Sequence, residues 1–223
     1  MTADLPPVIL MDCEIRAIEG IISTFGKRKV EIIALSAQKE DPPPAFKSRY
    51  VRHTYFSPTV WEEAAYLSFL LELPHRGVLI YSSDAGAEFV SNYRTEIQAA
   101  GYLINIPDLT TFRRAFNKDN IYKVCAECGV PTMWTREVCR VEDLYTAVEE
   151  AGLPLILKPT RLAGGRYLKI NRVEEVPDAY RAMTELIRSE ALSAQHSGLI
   201  VQEFIEHHYN DIYCCESYYA LNY

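Results

Sequence analysis

The chain has 223 residues, 48% of them apolar and 24% charged, with a formal net charge of −7. That length supports one large domain or two small ones with a sizeable core, and that balance is the composition of a soluble globular protein. The negative balance argues against nucleic acid or an anionic membrane as the main partner, while leaving room for a local positive pocket.

The opening "MTADLPPVILMDCE" has no basic segment, and its apolar run is too short for a secretory signal. No apolar stretch approaches the ~20 residues that a membrane helix requires. A cytoplasmic location is the expectation, and the six cysteines (Cys13, Cys125, Cys128, Cys139, Cys214 and Cys215) are expected to be free thiols.

Taken in order, "PVILMD" reads as a buried strand. It is followed by a helix through "EIRAIEGIISTFG", with Ile15, Ile18, Ile22 and Phe25 at helical spacing and Gly26 as its stop. "KVEIIALS" is a second apolar strand, and "EDPPPAFKS" is a loop because three consecutive prolines continue neither element. "RYVRHTYF" is a short extended piece. "TVWEEAAYLSFLLEL" is a helix capped by Ser57 or Thr59, and "RGVLIYSS" is a further strand. "DAGAEFVSNYRTEIQAAG" reads as one helix from a capping-type Asp84 to Gly101. This alternation predicts a parallel sheet with helices on both faces, so residues 1–105 form an α/β, Rossmann-like domain. A dinucleotide-binding role fails on one point: the turn "MDCEIRA" after the first strand lacks the glycines that let backbone approach a pyrophosphate.

From residue 106 the pattern changes. "PDLTTFRRAFNKDNIYKVCAECGVPTMWTREV" gives two short helices, a Gly-Val-Pro turn and a strand. The C-x-x-C of Cys125 and Cys128 suits redox chemistry or half of a zinc site. It lies, however, in a helix that ends at Gly129, with Ile121, Val124, Cys125 and Cys128 on one face. The remaining candidate ligands are the adjacent pairs His207–His208 and Cys214–Cys215, which on a strand point to opposite faces, so core cysteines are the expectation. "VEDLYTAVEEAGLPLILKP" is a helix closed by Gly152 and then a strand carrying Lys158. A strand-end lysine is unexpected without a negative partner, because desolvating an ammonium is costly. "GRYLKINRVEEVPDAYRAM" turns back as an antiparallel strand, and "GLIVQEFIEHHYNDIYCCESYY" is a long β segment with a polar interruption.

In this order the motifs resemble the ATP-grasp superfamily, in its carboxylate–amine ligase branch with the D-aspartate ligases and carbamoyl-phosphate synthase. "SRYVRHTYFSP" and "SSDAGAEFV" are similar to the domain that precedes the grasp, "NKDNIYKVCAECGVPTMWT" to its lysine helix, and "LILKPTRLAGG" with "LIVQEFIEHHYNDIY" to its nucleotide clamp. The resemblance covers nearly the whole chain. It implies a Rossmann-like pre-ATP-grasp domain over residues 1–105, followed over 106–223 by the first part of an α+β ATP-grasp domain. It assigns ATP's phosphates to Lys118 and Lys158, whose ammonium groups act as point charges, and to a glycine flap at Gly164 and Gly165, whose backbone N–H groups form an anion nest. Gln202, Glu203, Phe204 and Ile205 correspond to the adenine hinge, and Asp211, in competition with Glu206, to the carboxylate for the ribose hydroxyls.

The implied activity is ATP-dependent ligation of a carboxylate to an amine (or thiol) through an acyl phosphate. Its substrates would be a small-molecule carboxylate and amine, with neither nucleic acid nor membrane involved and room for a homodimer of the complete protein. The same fold stripped of its chemistry would serve as a non-catalytic nucleotide-binding scaffold. Two departures stand out. Tyr167 replaces a third flap glycine, and the magnesium ligands of the family fall on strands expected beyond residue 223, so the sequence reads as an N-terminal fragment. No catalytic residue and no metal ligand is assigned within it. The identities of the carboxylate and the amine are not legible.

Overall fold

The structure, a computed structural model, describes residues 5–160, 166–189 and 198–206, the side chain of residue 119 excepted. Its elements in chain order are β1 (Val8–Leu10), α1 (Ala17–Lys27), β2 (Ile32–Ser36), β3 (His53–Phe56), α2 (Glu63–Glu72), β4 (Val78–Ile80), α3 (Asp84–Asn92), α4 (Arg94–Ala99), α5 (Leu109–Phe116) and α6 (Lys118–Glu127). There follow β5 (Thr135–Val138), α7 (Val141–Ala151), β6 (Leu155–Pro159), β7 (Leu168–Ile170), α8 (Val176–Ser189) and β8 (Leu199–Glu203). Single 3-10 turns lie at Pro44–Lys47 and Val173–Glu175. The chain divides into two compact units, with the break between Val124 and Cys125.

The first unit holds a four-stranded sheet in the order β3-β2-β1-β4, with every pairing parallel. Parallel strands are covered on both faces, so they read as unbroken apolar runs. The even- and odd-numbered positions of "VILM" accordingly go to opposite cores. Val8 and Leu10 pack with Ile32, Ala34, Ile18 and Ile22, on the side of α1. Ile9 and Met11 pack with Ile33, Leu35, Leu79, Tyr66, Leu70, Phe89 and Ile97, on the side of α2, α3 and α4. Each fully buried aliphatic side chain contributes roughly 1.5–3 kcal/mol relative to exposure.

Local details differ from the sequence reading. The stretch 84–101 is two helices broken at Tyr93, and its cap is Ser83, whose hydroxyl accepts the N–H of Gly86 at 2.8 Å. The second helix begins after Glu62, with Thr59 donating its N–H to the Glu62 carboxylate at 3.0 Å. Gly26 lies inside α1, because a Cβ there would come within 2.2 Å of the Tyr50 ring; it is required for close approach rather than as a stop. Cys125 is half-buried and Cys128 is exposed, so the C-x-x-C is not a core element; among the described residues Cys13 is the buried thiol. Burial and the flanking carboxyl groups push that thiol up to about 12.

The second unit carries an antiparallel sheet in the order β5-β8-β6-β7. α7 and α8 cover one face through Leu144, Ala147, Val176 and Met183, which meet Val138, Leu155, Leu157, Ile170, Leu199 and Val201. α7 ends at Gly152, whose φ of +76° any residue with a Cβ would resist.

Candidate functional site

Alternation along the strands sorts residues to the two faces of the second sheet. Leu155, Leu157 and Pro159 are buried on one side, so Ile156 and Lys158 look out from the face opposite the helices. Direct pairing keeps partners on one face: Lys158 lies opposite Ile200, and Ile156 lies opposite both Gln202 and Lys169. Gln202 in turn lies opposite Thr135. The helix-free face therefore gathers Lys158, Lys169, Ile156, Ile200, Gln202 and Thr135. Lys169 is exposed there, Lys158 and Ile156 are half-buried, and Ile200 and Gln202 are buried.

Its margins are held by specific bonds. Thr160 donates its N–H to the Gly198 carbonyl at 3.0 Å, and its hydroxyl accepts the Gly198 N–H at 2.9 Å. This locks the strand end just beyond Lys158. Gln202 donates through Nε2 to Oγ1 of Thr135 at 2.7 Å. Its Oε1 is buried and finds no hydrogen-bond donor among the described residues. An unpaired buried carbonyl is unfavourable by about 1–3 kcal/mol unless a ligand or water donates to it. At the other end, Phe204 donates its N–H to the Pro154 carbonyl at 3.2 Å, and Nζ of Lys169 stands 3.7 Å from the centre of the Phe204 ring. That contact is a cation–π pair.

Of the residues singled out from sequence, Lys158 and Gln202 thus fall on one sheet face and Phe204 and Ile205 follow at its end, while Glu203, directly opposite Leu155, belongs by alternation to the other face. Ile205 is 56% exposed, unusual for an isoleucine beside a sheet, and leaves an apolar surface next to Phe204. Lys118 opens α6 in the first unit, half-buried, with the Asn117 carbonyl accepting the N–H of Ile121 at 3.1 Å. Gly164, Gly165 and Asp211 lie outside the described residues. Sequence reasoning missed Lys169. The register of "YLKI" against "LILKP" would have placed it on the Lys158 face, but pairing register is a tertiary fact.

The carboxyl ends of the first sheet have a different character. Asp12 follows β1 with φ of +53°, and the Ser83 hydroxyl after β4 donates to its carboxylate. Burial raises the Asp12 carboxyl above the ordinary carboxylate range. The strand order reverses between β1 and β4, the place where open α/β sheets take ligands. An acid in this first β–α turn, bonded to the start of α3, is unfavourable for a pyrophosphate and agrees with the absence of a dinucleotide fingerprint from the turn.

No protein-family model matches the chain. Among curated proteins it is 32% identical over 119 residues to the alanine–anticapsin ligase of Bacillus subtilis (strain 168), covering 51% of this chain and 23% of that protein. It is 29% identical over 119 residues to the formate-dependent phosphoribosylglycinamide formyltransferase of Geobacter metallireducens, covering 52% of this chain and 29% of that one. Among solved structures, the biotin carboxylase domain dimer of Hydrogenobacter thermophilus 2-oxoglutarate carboxylase, in complex with MgADP and bicarbonate, superposes with a TM-score of 0.71 at 16% identity. That match covers 90% of this chain and 44% of that one. The L-amino acid ligase of Bacillus licheniformis follows with 0.65 at 18%, over 92% and 47%. An N5-carboxyaminoimidazole synthase of Aspergillus clavatus, bound to ADP and its ribonucleotide, gives 0.62 at 17%, over 90% and 47%. The chain therefore spans less than half the length of these relatives. By these likenesses the chain has the fold of the corresponding half of ATP-grasp enzymes.

Proposed function

We propose that this chain is the nucleotide-binding half of an ATP-dependent carboxylate–amine ligase, with its first 105 residues as the pre-ATP-grasp domain and the remainder as the beginning of the grasp. The observation that carries the reading is the helix-free face of the second sheet. Lys158 and Lys169 offer positive charge there, and Gln202 presents a buried acceptor that finds no donor among the described residues. A nucleotide has the complementary parts: phosphate anions, a flat apolar base, and an exocyclic amine that can donate.

These residues fit ATP. Lys158, with Gly164 and Gly165, would hold its phosphates, while Gln202, Glu203, Phe204 and Ile205 would line the base and Asp211 or Glu206 would take the ribose. The relatives with bound MgADP and ADP support ATP with magnesium as the cofactor pair. When bound, ATP supplies the phosphoryl group that activates a carboxylate for attack by an amine. Lys158 would then neutralise charge on the phosphates, and Phe204 with Ile205 would keep water from the base. The magnesium ligands are not assigned to this chain. A small-molecule carboxylate and amine are the proposed substrates. Among the described residues no helix is long and apolar enough to cross a membrane.

The test is direct titration of the full 223-residue chain with a fluorescent adenine nucleotide, displaced by ATP and by adenosine. Binding of both, weakened together by Phe204→Asp in a protein that stays folded, supports the reading. No displacement by either ligand would refute it.

A further inference from the structure

The first unit carries a second constellation that the ligase reading does not use. Glu31 precedes β2, His53 opens β3, and His75 lies in the connection from α2 to β4, all at the amino ends of the parallel strands. One ligand atom from each lies within 4.8 Å of the other two. Oε1 of Glu31 is 3.3 Å from Nε2 of His53, and the His53 and His75 rings are 4.6 Å apart between centroids.

We propose that Glu31, His53 and His75 bind a first-row divalent cation, zinc by the chemistry of the set. Two borderline imidazoles with one carboxylate suit zinc and not magnesium or calcium, which prefer oxygen alone. Tetrahedral coordination at bonds of ~2.0–2.1 Å sets ligand atoms roughly 3.3 Å apart, so the Glu31–His53 spacing is already that of a zinc site. The widest separation in the trio has to close by roughly 1.5 Å, within reach of side-chain torsions at a half-exposed surface. A water would complete the shell.

The surroundings are arranged to hold the ligands. The Tyr55 hydroxyl lies 2.8 Å from Nε2 of His75, the kind of outer contact that orients a ligating ring. Tyr55 sits two residues after His53 on β3 and so projects to the same face. The loop that presents His75 is fixed by the next residue. The Arg76 guanidinium donates to the carbonyls of Ala100 at 2.6 Å, Leu71 at 2.7 Å and His75 at 2.7 Å, and also to that of Leu73. A cation here would clip together three segments that are distant in sequence: the starts of two strands and the end of a helical crossover.

Calorimetric titration of the full chain with Zn2+, repeated with Co2+ as a spectroscopic stand-in, tests this. The expected result is one site whose affinity falls tenfold or more in His53→Gln and in His75→Gln. Tyr55→Phe should weaken it about tenfold. The triple change Cys125→Ser, Cys128→Ser, Cys139→Ser should leave it unaltered, and the Co2+ spectrum should lack a thiolate charge-transfer band. Zinc should also raise Tm in the parent chain and not in the histidine variants, while a large excess of Mg2+ should not compete. Absence of zinc binding, or binding that survives both histidine substitutions, would overturn the proposal.

Discussion

The Trp134 N–H donates to the Glu203 carboxylate at 2.8 Å, and the Glu203 N–H donates back to the Trp134 carbonyl at 3.1 Å. This exchange extends the β5–β8 ladder one residue beyond the Thr135–Gln202 pair. It fixes where β8 ends, and hence the direction in which Phe204 and Ile205 leave the sheet. In Glu203→Ala the Trp134 N–H loses its acceptor, and a lost charge-assisted bond of this kind is worth about 1.5–3 kcal/mol. Urea denaturation should show a loss near the lower end of that range, because the position is only half-buried. Glu203→Gln should retain most of the stability. Equal losses in both variants would mean that the carboxylate, and not an acceptor at that place, is required.

Gly26 and Tyr50 make a second checkable pair. Near the end of α1 alanine is favoured over glycine by at most about 1 kcal/mol, yet its Cβ at position 26 would lie 2.2 Å from Cγ of Tyr50. Forced overpacking costs about 1–3 kcal/mol, so Gly26→Ala should destabilise the chain. In a Tyr50→Ala background the clash is gone, and the same change should become neutral or stabilising. A double-mutant cycle measured by thermal or urea unfolding reads this reversal of sign directly.

Asp12 predicts a pH dependence. Its folded-state carboxyl is raised by burial, with the Ser83 hydrogen bond opposing that effect and Glu14 adding to it. Between the unfolded carboxylate value and the raised one, the native state binds the proton that the unfolded chain releases. Stability contributed by this group therefore falls as pH rises through that window. Asp108, Asp143 and Glu175 have the opposite sign: backbone N–H groups hold them below the ordinary range, and what they contribute is lost as pH falls below it. Subtracting the urea midpoints of Asp12→Asn from those of the parent chain isolates the first effect. The difference should shift against the parent from about pH 4 upward. A difference independent of pH would show that Asp12 keeps its ordinary titration.

Much of the architecture was legible because doubly buried parallel strands give the unbroken "VILM" and "IIALS". "LILKP" is equally apolar up to its lysine, and its alternating burial is a fact of the structure and not of the sequence. Lys158 stood out as the charge in an otherwise apolar strand. What escaped notice depends on contacts between distant segments. The break at Tyr93 interrupts a run that is helical by local preference on both sides. The exposure of Cys128 follows from what α6 packs against, which helical spacing does not reveal. Lys169 meets Phe204 through strand register, and Glu31, His53 and His75 are joined only by the crossover that carries α2 over the sheet.

The Lys158 ammonium bears most directly on the nucleotide-binding claim. If it faces phosphate, Lys158→Ala removes a charge-assisted contact of about 1.5–3 kcal/mol, or roughly 10–100-fold in affinity, from ATP but not from adenosine. The measurement is displacement of a fluorescent nucleotide by each ligand, from parent and variant chains, with folding checked by circular dichroism. The predicted result is a loss of that size for ATP with adenosine binding unchanged. Equal ATP affinity in a folded Lys158→Ala chain would contradict the assignment and leave Lys158 as an ordinary strand-end lysine.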